Sequence, residues 1–176
     1  MKQKIISFLL AVLMLFTSAA AAYAESIEDF LGTLTSLFRS EDEITYGVGE
    51  AVTVGGATLT LKNVLQSKGS SFYKPADGKE FLILELLIEN TGSEEVSISS
   101  MLSFSLSCDD VVYSISFDAL ATALFAGKMQ LDCSLNPGEK YTGVVGYEVP
   151  IGWKNLRLQY NADIYFGETA TFAVQR

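Results

Sequence analysis

Apolar and polar side chains alternate along several segments of this 176-residue chain, and no other feature constrains its fold as much. In the clearest case, Leu102, Phe104, Leu106 and Cys108 alternate with serines. A two-residue period places successive side chains on opposite faces of a β-strand, with one face buried and the other in water. The chain is therefore expected to form antiparallel sheets.

Other segments repeat this period and are separated by corners at glycine, asparagine and proline. The predicted core rows are Leu82, Leu84, Leu86 and Ile88, then Val111, Tyr113, Ile115 and Phe117, then Met129, Leu131, Cys133 and Leu135. Gly55 and Gly56 indicate a hairpin, and residues 118–127 predict a crossover with about one helical turn. Short strands and little helix predict an all-β antiparallel sandwich of seven to nine strands over residues 46–176.

The first 24 residues have the pattern of a secretory signal peptide. Lys2 and Lys4 precede an apolar stretch that ends in small residues at Ala22-Tyr23-Ala24. The stretch is shorter than the ~20 residues that a membrane span needs. We expect cleavage after Ala24 and a secreted protein, outside the cell or at its envelope, that does not insert into a membrane.

Residues 25–45 are expected to form one short amphipathic helix followed by an acidic linker. The apolar positions at helical spacing are Ile27, Phe30, Leu31, Leu34 and Phe38. This helix either packs on the domain, stays loosely tethered, or docks on a partner or on another copy of the chain.

The composition excludes several classes of function. Asp and Glu number 21 against 12 Lys and Arg, and the net charge of −9 disfavours binding to nucleic acid and anionic lipid. No histidine occurs, which removes the commonest general base and most transition-metal sites. No phosphate-binding glycine loop is present either. We therefore expect a protein that is not an enzyme and holds no cofactor and no metal.

Two acidic groups keep alternatives open. Glu85 and Glu89 share one strand face and are formal candidates for the carboxylate pair of a hydrolase. Asp109, Asp110 and Asp132 are formal candidates for calcium, although acidic corners are usually solvated turns.

The only cysteines, Cys108 and Cys133, are predicted to form a disulfide. An even number of cysteines in an exported chain favours a structural bridge. Both are predicted on the core faces of their strands, and the bridge would stabilise the fold by about 3.5 kcal/mol. Metal binding or redox chemistry is the alternative, but the chain has no CxxC motif.

Five aromatic residues in or near predicted loops are candidate binding residues: Phe72, Tyr73, Phe125, Trp153 and Tyr165. Loop aromatics on a sandwich can form a recognition surface. The alternative is that they cover the open ends of the core.

Several short motifs occur in an order that resembles the order found in a known family. An apolar strand ends at Asn90-Thr91-Gly92, and the motifs at 135–139 and 147–150 follow in the same order. The chain resembles, over about residues 46–174, exported bacterial immunoglobulin-like domains of unknown function, which are related in fold to the mycobacterial immunoprotective extracellular antigen. The resemblance implies an immunoglobulin-like sandwich without established activity. Many relatives carry a cysteine at the cleavage site, which this chain lacks.

The Asn90 corner itself is expected to end one strand and aim the chain at its neighbour. Asn90 and Gly92 tolerate positive φ angles, and an asparagine side chain can bond its own backbone.

These patterns favour a non-enzymatic secreted binding module that recognises a protein or an envelope polymer through loop ends or a sheet edge. The first alternative is a structural or antigen-like envelope component that assembles through its N-terminal helix. A carboxylate-dependent hydrolase is the distant one. Ligand and oligomeric state do not follow from the residues.

Overall fold

A computed structural model describes residues 44–162 and 168–176. The predicted signal peptide and the predicted amphipathic helix lie outside these described residues. Within them, no helix is long and apolar enough to cross a membrane.

The described residues form eleven strands and one helix. The elements are β1 (Thr45–Tyr46), β2 (Ala51–Val54), β3 (Ala57–Ser67), β4 (Lys79–Asn90), β5 (Val96–Ile98), β6 (Phe104–Cys108), β7 (Val111–Tyr113), α1 (Phe117–Phe125), β8 (Cys133–Leu135), β9 (Lys140–Pro150), β10 (Asn155–Asn161) and β11 (Thr169–Gln175). One sheet has the order β1-β11-β10-β6-β7, a second has β2-β3-β4-β9, and β5 pairs with β8. The predicted all-β sandwich is confirmed. The strand number exceeds seven to nine because the short strands β1 and β5 are too brief to show a period.

The two larger sheets bury their facing sides against each other. Leu82 and Leu84 of β4 and Leu158 of β10 are fully buried, and Phe104 of β6 is 6% exposed. The Phe104 ring lies 5.4 Å from the ring of Tyr160, its register partner on β10. The period-two pattern therefore identified the inner faces of both sheets correctly.

The same pattern failed at four positions that lie outside strands or on an edge strand. Leu102, Val111, Phe117 and Met129 were predicted in the core, yet each is more than half exposed. Leu102 precedes β6, Val111 lies on the edge strand β7, and Phe117 opens α1. A side chain that alternates correctly stays in water when no second sheet covers it.

The corner at Asn90 joins three parts of the sandwich. The Asn90 Nδ2 donates hydrogen bonds to the carbonyls of Glu94 and Leu135, both at 2.7 Å. Its Oδ1 accepts one from the Gly92 N–H at 3.0 Å, which confirms the predicted bond of the asparagine to its own backbone. The residue is completely buried, so these bonds replace its contacts with water.

The expected positive φ at this corner was wrong, because neither Asn90 nor Gly92 has one. Gly92 is needed for space instead, since a Cβ there would lie 3.1 Å from the Gly56 Cα. Among the described residues, the non-glycine positions with positive φ are Asp109 and Asp110, in the β6–β7 turn.

The predicted disulfide is absent, because Cys108 and Cys133 are both free thiols. Cys108 lies on β6 of the five-stranded sheet, whereas Cys133 lies on β8, which pairs with β5. Both thiols face the core, as predicted: Cys108 is buried in it, and Cys133 packs against it half-buried.

Thiol titration checks this correction. We expect two reactive thiols per chain after denaturation without reductant. Burial raises the pKa of both thiols, that of Cys108 to about 11. In the native protein the half-buried Cys133 should react faster than the buried Cys108, because a reagent can reach it. Cys133→Ser should leave one thiol. A count of zero in the denatured, unreduced protein would restore the bridge.

Replacement of Asn90 tests the corner. We expect Asn90→Ala to lower the free energy of unfolding by about 3 kcal/mol, because three backbone groups lose a buried partner. Urea unfolding measures the change. The matched control is Asn136→Ala at an exposed turn, where we expect less than about 0.5 kcal/mol. Equal effects at the two positions would contradict this account.

Candidate aromatic binding surface

Helix α1 packs on the outer face of the four-stranded sheet. Ser116 is the N-cap residue that precedes the helix, and its Oγ accepts a hydrogen bond from the Ala119 N–H at 3.2 Å. This is the usual arrangement at a helix N-terminus. Leu120 and Ala123 are buried against Ile83 of β4 and Val144 of β9. The predicted single turn is a helix of nine residues.

Gly146 allows the close approach of α1 to β9. A Cβ at this position would lie 3.0 Å from both the Cβ of Ala119 and the backbone N of Leu120. The Gly146 carbonyl also accepts a 2.8 Å hydrogen bond from the Ser116 N–H. The helix is therefore held at one height above the sheet, and its C-terminal end has a defined position.

The loop between β3 and β4 is held by its own hydrogen bonds. The Ser70 N–H donates to the Tyr73 carbonyl at 2.6 Å. The Ser70 Oγ accepts from the N–H groups of Phe72 and Tyr73 at 3.2 and 3.1 Å. Gly69 has a φ of +90°, and a Cβ there would lie 2.1 Å from the Tyr73 carbonyl oxygen. Only glycine fits this tight turn, which presents two adjacent aromatic side chains.

The loop and the end of α1 meet in a cluster of three rings, here called the aromatic surface: Phe72, Tyr73 and Phe125. The ring centroids of Phe72 and Phe125 are 6.2 Å apart with planes at 29°, and those of Tyr73 and Phe125 are 6.0 Å apart. Phe72 is 81% exposed and Phe125 is 70% exposed, while Tyr73 is half-buried. Three of the five candidate binding residues thus come together from positions some fifty residues apart.

The other two candidates are not part of this surface. Trp153 is 4% exposed and packs in the main core, with the Arg176 guanidinium 5.7 Å from its ring centroid. Arg176 also donates to the Glu80 carboxylate at 3.2 Å. Trp153 therefore covers one end of the core, which is the alternative considered for the loop aromatics. Tyr165 lies outside the described residues.

Lysines around the aromatic surface were missed in the sequence interpretation. Residues 62–79 contain four lysines and a single acidic residue, Asp77, within a chain of net charge −9. Lys68 and Lys74 flank the aromatic turn and are exposed. The local reversal of charge was visible in the composition of this segment, but only the fold shows that the turn between Lys68 and Lys74 carries part of a cluster of exposed rings.

The carboxylates considered for hydrolysis do not form a catalytic pair. Glu85 accepts hydrogen bonds from Lys128 and Asn63, both at 2.6 Å, and Lys128 and Asn63 lower its pKa. Glu89 forms a separate ion pair with Lys140 at 2.9 Å. The two acids stand four residues apart, about 13 Å along the strand, which exceeds the ~5–9.5 Å between the carboxyl groups of glycosidases. A lowered pKa is also the opposite of what a general acid needs.

The acidic corner residues serve the local fold. The Asp109 carboxylate accepts from the N–H groups of Lys154 and Asn155, and Lys154 and Asn155 lie at the start of β10. Asp132 accepts from the N–H and the hydroxyl of Ser100. Among residues 44–162 and 168–176, no group of three or more potential metal ligands is present.

Comparison with protein families identifies a relationship for most of the chain. The sequence profile of a family described as "Domain of unknown function (DUF4352)" matches residues 46–171. No curated protein matches the chain.

Solved structures share its fold at low sequence identity. The yjhA protein from Bacillus subtilis is 24% identical, with a TM-score of 0.57 over 73% of this chain and 99% of its own. MPT63, a secreted protein from Mycobacterium tuberculosis, is 14% identical, with a TM-score of 0.53 over 77% of this chain and 100% of its own. The ycdA protein from Bacillus subtilis is 19% identical with a TM-score of 0.59, over 71% of this chain. This chain spans only 38% of the ycdA chain. At these identities the likeness shows the fold alone.

Substitution of Gly146 tests the docking of α1. We expect Gly146→Val to lower the free energy of unfolding by about 2 kcal/mol, because the added methyl groups collide with Ala119 and push the helix outward. Urea unfolding measures the loss. On the same strand, Thr142→Val at an exposed position should change stability by less than about 0.5 kcal/mol. A Gly146→Val protein as stable as the parent would show that α1 does not need this close approach.

Proposed function

We propose that this chain, which belongs to the DUF4352 family, is a non-enzymatic module that binds a protein or an envelope polymer at the cell exterior. The observation that carries the proposal is the aromatic surface formed by Phe72, Tyr73 and Phe125. The rings of Phe72 and Phe125 are mostly exposed, yet they touch each other and are held by two separate elements of the fold.

Exposed aromatic rings are informative when they cluster. A single exposed apolar residue is normal on any protein surface. Contiguous rings are different, because aromatic side chains bury a large area on contact and dominate the energetics of many interfaces. The rings of Phe72 and Phe125 expose apolar surface to water in the unbound chain. A partner that covers these rings gains the free energy of burying that surface.

The rigidity of the surface also supports a binding role. Four hydrogen bonds hold the loop that carries Phe72 and Tyr73 in one turn. Gly146 holds the helix that carries Phe125 at a fixed height. A surface that is ordered before binding loses less conformational entropy when a ligand arrives. The rings are thus prepared for contact rather than assembled by it.

The proposed site of action follows from the N-terminal sequence. A basic start, an apolar stretch and small residues before position 25 are typical of a secretory signal peptide. Such a leader directs the domain out of the cytoplasm, where secreted proteins and envelope polymers are the available ligands.

Capture from envelope and culture extracts tests this function. Immobilised purified protein should enrich at least one component, and Phe72→Ala/Phe125→Ala should reduce its recovery at least tenfold, because the aromatic contact area is lost. Phe117→Ala is the matched control, since Phe117 is an exposed phenylalanine at the other end of α1. Enrichment that is equal for all three proteins, or absent for each, would refute the proposal.

A further inference from the structure

We infer that the ligand of the aromatic surface is an acidic polypeptide segment with apolar side chains interspersed among its carboxylates. The inference rests on the proposed binding function and specifies the chemistry of the partner. Three features carry it: the lysines that flank the ring-bearing turn, the pairing of Glu85 and Glu148 with other lysines, and the engaged hydroxyl groups of Ser67 and Ser70.

Two exposed lysines flank the ring-bearing turn of an otherwise acidic protein. Lys68 lies directly before the turn that carries Phe72 and Tyr73, and Lys74 lies directly after it. Both lysines are exposed. Lys62, which lies on β3 six residues before Lys68, is exposed as well. Since the chain as a whole carries a net charge of −9, a basic rim here is a local exception. It favours an anionic ligand at this place and repels a cationic one.

Acidic residues offset only part of this charge. Asp77 follows Lys74 in the chain, and Lys79 is paired with Glu148 at 3.1 Å. Glu85 is paired with Lys128 at 2.6 Å. No ion pair joins Lys68 or Lys74 to an acid within residues 44–162 and 168–176. The lysines that flank the aromatic turn therefore remain available to carboxylates of a ligand.

The loop uses two of its serine hydroxyls in its own turn, and Ser71 and Tyr73 carry its other two hydroxyls. Sites that recognise small polar ligands orient them with several well-placed donors and acceptors. Here the Ser70 Oγ accepts from two backbone N–H groups, and the Ser67 Oγ accepts from the Gly69 N–H at 3.0 Å. Phe72 and Phe125 contribute rings without polar atoms. An apolar centre with a charged rim is instead the composition of a protein interface.

A polypeptide with both apolar and acidic side chains can contact the rings and the lysines at the same time. Its aromatic or aliphatic side chains would cover Phe72 and Phe125, and its Asp and Glu residues would reach Lys68 and Lys74. Contacts with exposed lysines are screened by salt, whereas the apolar contacts are not. Binding should therefore weaken with ionic strength without disappearing.

Fluorescence anisotropy with synthetic peptides tests the inference on the purified protein. The probes are two labelled peptides of leucine, phenylalanine and glutamate, one with alternating and one with helical spacing, and matched peptides with glutamine in place of every glutamate. Labelled polygalacturonate serves as the anionic sugar polymer, and its binding is measured directly. We expect at least one acidic peptide to bind, and its glutamine counterpart to bind at least tenfold more weakly.

Variants separate the aromatic and the charged contributions. Phe72→Ala/Phe125→Ala should weaken binding of the acidic peptide at least tenfold. Lys68→Glu/Lys74→Glu should weaken it at least tenfold, and its affinity should no longer fall with added salt, because salt screens the new repulsion. Phe117→Ala and Lys154→Glu are the matched controls at other exposed positions, and both should bind as the parent does. Thermal unfolding within about 4 °C of the parent shows that each variant is folded.

The possible results have distinct meanings. Equal affinity for the acidic and glutamine peptides, or parental binding by Lys68→Glu/Lys74→Glu, overturns the inference. If polygalacturonate binds in a manner that Phe72→Ala/Phe125→Ala abolishes while no peptide binds, the inference fails and the proposed function stands. If no probe binds and no extract component is captured, both fail.

Discussion

Burial of the inner faces of the two larger sheets is the interaction on which the rest of this structure depends. Strand β4 is central to it, because it pairs with β3 on one side and with β9 on the other. Its residues Leu82, Leu84, Leu86 and Ile88 are fully buried. At about 1.5–3 kcal/mol for each such side chain, this row alone outweighs any single polar contact in the molecule. The Asn90 amide then ends the strand by binding backbone groups from two other segments.

The outer face of the sheet that contains β4 carries α1, which positions one ring of the aromatic surface. Ile83 and Val144 are covered by α1, so this part of the outer face behaves as a second, smaller core. The helix can lie there because Gly146 leaves room for Ala119. Docking of the helix brings Phe125 against the turn that carries Phe72. The aromatic surface is thus a consequence of how the helix packs, and the rings stay exposed because nothing further in the described chain covers them.

The packing of particular residues contradicts two expectations, that Trp153 is an exposed binding residue and that the cysteines form a disulfide. Trp153 looked like a loop aromatic because it follows Pro150 closely, but it is buried beneath Arg176. Cys108 and Cys133 face the same core, yet they lie on strands of different sheets, β6 and β8. Alternation reports the face of a strand on which a residue lies. It carries no information about which residues of other strands lie beside that residue in the core.

The sequence by itself determined the fold class, the inner faces of the main strands, the hairpin at Gly55-Gly56 and the asparagine bond at the Asn90 corner. These features depend on neighbours a few residues apart, because strand periodicity and turn chemistry are local properties of the chain. Only the tertiary structure decided that Phe72 and Phe125 touch, that Trp153 is buried, and that the two thiols remain apart. Those relations depend on the path of the backbone over the sheets and on strand register, which join residues that are distant in sequence and share no local pattern.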